Sequence, residues 1–201
     1  MLTSVEQLEG IYGKANERSL RKEISFISVD YAAFILASPF VMLASAGEDG
    51  LDCSPKGDAT GFVRILDAHT LAIPDRPGNN RIDTLRNLVH DPRVALLFLV
   101  PGVGEMMRVN GRASIADDSE LLASFSVNGK PPRTVILVHV ESVYFHCSKA
   151  VVRSDLWNGE KHVDRSSLPS AGAMLKNVSD ASFDGDAYDR ALPGRLKTDL
   201  Y

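Results

Sequence analysis

The chain has 201 residues, 44% hydrophobic and 24% charged, enough to bury a core without disulfides or a structural metal. Twenty-two Lys and Arg against 26 Asp and Glu leave a net charge of −4 with no long basic run, so nucleic acid is not an expected partner. The longest apolar runs, 94–100 and 135–140, are too short to span a bilayer, no charged-then-apolar signal opens the chain, and Cys53 and Cys147 form no disulfide framework; a cytoplasmic protein away from membranes is the expectation.

In chain order, residues 4–12 and 30–37 carry helical patterns, the second with Ser28 or Asp30 as cap and Ser38-Pro39 as stop. Strand patterns follow at 40–46, 52–55, 61–67, 71–74, 93–100, 105–116 and 133–147, rich in β-branched and aromatic residues between Gly, Pro and Asp. The short connection Asp67-Ala68-His69 predicts a hairpin. Helices are expected only near 80–90, 119–126 and 148–157, too few to provide the crossovers a parallel sheet needs. The sheet is therefore expected to be mostly antiparallel. Residues 94–100 and 134–140 are apolar at nearly every position, which predicts cover on both faces: a closed barrel core on one, and helices or a second subunit on the other. Beyond residue 158 the Gly-, Ser- and Asp-rich tail offers one short helix near 171–178 and is expected to lie along the surface of a single domain spanning 1–201.

The stretch 71–88 predicts strand, turn and helix, with Pro77-Gly78-Asn79 at the turn and the helix starting within a residue or two of Asn80. Ile82, Leu85 and either Leu88 or Val89 recur at helical spacing. The first N–H groups of such a helix have no internal partner, and Arg76 and Arg81 flank them. That pattern suits a phosphomonoester. A loop with solvated arginines satisfies it equally well.

Several motifs in order, 52–58, 61–67, 73–88, 91–98, 108–113, 146–150 and 153–157, resemble the pyridoxamine 5′-phosphate oxidase-like flavoproteins over roughly residues 35–160. The resemblance implies a mainly β fold with flanking helices, an FMN-binding antiparallel split β-barrel of six to seven strands. It also implies a homodimer with FMN at the subunit interface, and favours the phosphate reading of the turn. In similar proteins the phosphate clamp uses positions matching Asn79, Asn80 and Arg81, with a basic residue from the preceding strand, here Arg64. Arg64 lies between Val63 and Ile65, so strand parity turns it away from them. Lys56, between Pro55 and Gly57, is the expected ring-edge cation, and Arg108 a ring or ribityl contact. Lys149, Arg153 and Trp157 stand at i, i+4 and i+8 on one expected helix. In similar proteins this segment reaches the partner's flavin, which makes Lys149, Arg153 and Ser154 candidate contacts.

No metal site is expected: His139 and His146 are seven residues apart and face opposite sides of an uninterrupted strand. No nucleophile elbow, Walker loop or dinucleotide fingerprint occurs, so a flavin must carry the chemistry and no catalytic side chain is assigned. The namesake enzymes hold substrate phosphate with an Arg-x-His site near the C-terminus, whereas this tail has Arg190, Arg195 and Lys197 but no histidine after His162. The expectation is an FMN-dependent oxidoreductase exchanging hydride with an unidentified small molecule or a nicotinamide. A non-catalytic flavin- or haem-binding barrel and a deazaflavin-dependent reductase are the alternatives.

Overall fold

A computed structural model describes residues 1–48, 50–179 and 182–201. Helices α1 (Val5–Tyr12), α2 (Glu17–Arg21) and α3 (Val29–Ala37) precede the strands β1 (Phe40–Gly47), β2 (Gly50–Gly57), β3 (Arg64–Asp67) and β4 (Thr70–Pro74). Then come α4 (Asp83–His90), β5 (Arg93–Leu99), β6 (Met106–Ala116), α5 (Ser119–Ser124), β7 (Val135–His146), α6 (Lys149–Ser154), α7 (Ala171–Val178) and α8 (Gly185–Thr198). Of the two caps offered to α3, Ser28 is used, its side chain accepting from the Tyr31 amide.

All strands pair antiparallel in one sheet of order β2-β1-β5-β6-β7-β4-β3. The expected hairpin is β3–β4. The sheet does not close: β2 and β3 are its two edges, which corrects the expectation of a closed core. Residues 58–63 nevertheless join those edges. Six flat interstrand spacings would separate them by about 29 Å, more than the roughly 25 Å that this connection can span. The sheet must curl until its edges approach across a seam, and that is a split barrel.

The concave face holds the core. Val41, Leu43, Leu71, Ile73, Leu96, Phe98, Val109, Ile136 and Val138 are fully buried there, with Ile35 of α3 packed among them. Along β5 buried residues alternate with half-buried ones, so within the chain only one face is fully covered, not both. The register places Phe40, Met42, Ala44, Ala95, Leu97, Leu99 and Met106 together on the convex face. Phe40 and Met42 remain 37% and 38% exposed.

Four local expectations are corrected. The helix after the turn starts at Asp83, because Asn80 (φ 58°) and Ile82 (φ 55°) are left-handed and cannot belong to it. It buries Leu88 and leaves Val89 exposed. The helix after β7 ends at Ser154, where Asp155 turns left-handed (φ 52°); Trp157 lies beyond it and donates from Nε1 to Val103 O at 2.8 Å. Strand β7 is interrupted, since Asn110 pairs Ser142 but Gly111 pairs Val140, leaving Glu141 bulged out and reversing the facing of everything after it. Finally, the tail contains a second helix, α8, which packs against α7 through Gly172 and Gly185.

Candidate functional site

A cavity of about 650 Å³ opens at the seam, within the range of small-molecule sites. Its walls come from the end of β2 (Ser54 to Gly57), the segment 74–85 between β4 and α4, and Arg133-Thr134 leading into β7. The topology explains the meeting. Strand β4 pairs β7 with Pro74 opposite Val135, and Asp75 N donates to Thr134 O at 3.0 Å, so the chain leaving β4 runs beside the chain entering β7.

Ion pairs stitch this seam. Lys56 Nζ lies 2.6 Å from Asp75 Oδ1, linking β2 to the end of β4. Arg76 Nε donates to Asp58 Oδ2 at 2.6 Å, and its Nη1 donates to Phe125 O at 2.9 Å. Asp58 Oδ1 also accepts from the Ala59 amide at 2.7 Å and the Tyr201 hydroxyl at 2.5 Å. Burial pushes the Asp58 carboxyl up, but the Tyr201 hydroxyl, the Ala59 amide and the Arg76 guanidinium together hold it below the ordinary carboxylate range. Helix α4 is tied to β2 by Thr84, whose Oγ1 lies 3.1 Å from both Asp52 Oδ2 and Ser54 Oγ.

At the mouth, Asn79 Oδ1 accepts from the Arg81 amide at 3.0 Å, and Arg81 Nε donates to Asp83 Oδ2 at 2.7 Å. Arg81 is exposed, so its guanidinium is accessible to a ligand. Ile82 caps α4 in a left-handed conformation without any side-chain hydrogen bond. This is a strained choice for a β-branched residue. Among the described residues, the first-turn amides of α4 have no side-chain cap.

The cavity brings together five of the expected residues, Lys56, Arg76, Asn79, Asn80 and Arg81. It does not include the others. Strand β3 begins only at Arg64, and that guanidinium turns to the end of α5, donating to Ser124 Oγ at 2.9 Å and Ser124 O at 2.5 Å over the Phe125 ring. Arg108 donates to Asn110 Oδ1 and lines a second cavity of about 340 Å³ on the convex face, with Met42, Ala44, Cys53, Leu97 and His146. Burial and the charges of Arg108 and Lys22 lower the His146 pKa. Lys149, Arg153 and Ser154 sit exposed on α6, outside both cavities.

Sequence reasoning missed Arg133, Thr134, Ser54 and Thr84 as cavity residues. The signal for the first two was positional, since Pro131-Pro132 stops just short of a strand whose partner ends at Pro74.

The donors suit a phosphorylated cofactor. Four cationic side chains, two asparagines and an uncapped helix start surround one cavity, whose apolar wall includes Phe62, Pro74 and Leu85. Thr134 Oγ1, buried on the same wall, has no hydrogen-bond partner among the described residues. Such an atom is ordinarily paired, by protein or by an ordered water.

A family model described as pyridoxamine 5′-phosphate oxidase matches residues 28–147, more than half of the chain. Solved structures resemble it at low identity. HupZ from Group A Streptococcus is 18% identical, with 58% of this chain and 91% of that one covered and a TM-score of 0.48. General stress protein 26 from Bacillus anthracis is 17% identical, with coverage of 56% and 88% and a TM-score of 0.44. A FAD-binding protein from Mycobacterium smegmatis is 11% identical, with coverage of 61% and 97% and a TM-score of 0.43. No curated protein matches the chain.

Proposed function

Because the chain belongs to the pyridoxamine 5′-phosphate oxidase family, we propose that it binds FMN in the seam cavity and acts as an FMN-dependent oxidoreductase on a small organic molecule or a nicotinamide. The observation that supports this most is the joint placement of Lys56, Arg76, Asn79, Asn80 and Arg81 on one cavity wall at the uncapped start of α4. When bound, FMN supplies the hydride chemistry. The chain's residues bind and orient it. Asn79 and Arg81 present donors to the phosphate, and the Lys56 ammonium, fixed by Asp75, offers positive potential toward the ring.

Arg81→Ala weakens FMN binding by about 2 kcal/mol as a lost charge-assisted contact, read by fluorescence quenching on titration; unchanged affinity would place the clamp elsewhere. Anaerobic mixing of the flavin-loaded protein with NADH or NADPH tests turnover. Bleaching of the flavin band is expected, and an unbleached band would favour a binding protein over an enzyme.

The homodimer belongs to the same proposal. The convex face of Phe40, Met42, Leu97, Leu99 and Met106 is apolar and incompletely covered, which suits a second copy. Strand β7 runs beside it and delivers α6, so Lys149, Arg153 and Ser154 approach the partner's flavin instead of their own. Leu97→Asp turns a dimer into a monomer in sedimentation and loosens FMN; a wild-type chain that sediments as a monomer would remove this part of the proposal.

A further inference from the structure

Four cationic side chains line the seam cavity, and three already have a carboxylate in hand. Lys56 pairs with Asp75 at 2.6 Å, Arg76 with Asp58 at 2.6 Å and Arg81 with Asp83 at 2.7 Å. Arg133 differs. Among the described residues its guanidinium makes no ion pair, and its hydrogen bond goes to a neutral amide oxygen, Asn80 Oδ1, at 3.2 Å. An anion entering the cavity feels each paired cation together with its counter-charge, but feels Arg133 uncompensated. The electrostatic gain is therefore largest there.

The surroundings agree. Asn80 is left-handed (φ 58°), and its side chain ties the turn to Arg133. Thr134, the next residue, lies on the same wall. Arg133 is exposed, so its guanidinium is open to a ligand, whereas the Arg76 side chain is only 16% exposed and is held by Asp58 and Phe125 O.

Resting on the FMN reading above, we propose that Arg133 is the residue that takes the charge of the phosphate, and that Arg76 is a positioning residue that holds the turn. A planar guanidinium matches a phosphomonoester dianion in charge and in hydrogen-bond geometry. Arg133 thereby makes the site selective for a phosphorylated ligand over its neutral parent.

The test titrates the full chain with riboflavin 5′-phosphate, with riboflavin and with inorganic phosphate. Arg133→Gln weakens riboflavin 5′-phosphate by about 10- to 100-fold, leaves riboflavin unchanged and flattens the salt dependence of binding. Arg133→Lys restores part of the loss. Arg76→Gln lowers the melting temperature yet keeps the preference for the phosphorylated form. An Arg133→Gln protein with the wild-type ratio of the two flavin affinities overturns the assignment while the cofactor reading stands. Inorganic phosphate bound by wild type and lost in Arg133→Gln, with neither flavin bound by wild type, supports the anion site and sinks the cofactor reading instead.

Discussion

Asp58→Ala is expected to lower the unfolding free energy by about 3 kcal/mol, as happens when one partner of a buried ion pair is removed. Its side chain is 3% exposed and joins three separate segments: its own loop through Ala59, the turn after β4 through Arg76, and the end of α8's trailing segment through Tyr201. The variant strands the Arg76 guanidinium in a pocket where, among the described residues, Phe125 O is its one remaining acceptor. The turn carrying Asn79 to Arg81 then loses its anchor, so FMN affinity falls along with stability. Denaturant midpoints measure the first effect and flavin titration the second. The same group sets a pH dependence. Its pKa is lower folded than unfolded, so its contribution is complete above the ordinary carboxylate range and disappears as pH falls through the folded value. Wild type should therefore lose stability more steeply than Asp58→Ala below about pH 4. Parallel acid profiles would show that Asp58 stabilises nothing.

Gly111→Ala is expected to cost about 3 kcal/mol or more, at the upper end of overpacking effects. A Cβ there would stand 2.0 Å from His139 O and 3.0 Å from His139 C. Both are backbone atoms of the neighbouring strand, so no side chain can swing aside. The position lies opposite the bulge, where β6 and β7 change register around Glu141. Losing it would set the second half of β7 against the wrong face and expose Val143, now fully buried. A drop in the denaturant midpoint at unchanged slope is the expected reading, with Gly159→Ala, which has nothing within 4 Å, as a near-neutral control.

These two residues also show what the sequence makes legible. Six of the seven strands are visible as apolar runs between turn residues, because period-2 burial and β-branched side chains leave a local record, whereas β2, GLDCSPKG, has no such run. The bulge leaves none. Glu141 is an ordinary polar residue inside an apolar run, and only the partner strand reveals that it is unpaired. The start of α4 is displaced for a similar reason, since Asn80 tolerates a left-handed conformation but nothing announces one at Ile82. Helix α8 escapes notice because Gly194 and Pro193 fall inside it and it packs mainly against α7.

The candidate site divides along the same line. Residues 74–81 are contiguous, and their Pro, Gly, Asn and Arg content marks a turn with donors. Arg64 and Arg133 are separated by strand pairing that the sequence does not display. Adjacency to Val63 suggested a cleft for Arg64, yet the strand starts one residue too late for that parity to apply and α5 takes the guanidinium. Arg133 enters only because β7 lies beside β4, which puts residue 134 next to residue 75. The charge balance of the cavity, three paired cations and one unpaired among the described residues, is a property of the folded arrangement alone.

Hydrogen–deuterium exchange of the full chain, with and without saturating riboflavin 5′-phosphate, tests the central claim most directly. Protection is expected at residues 54–57, 74–85 and 133–134, the three segments that wall the seam cavity. Absence of protection there, or protection confined to the convex face around Met42, Leu97 and His146, would contradict it.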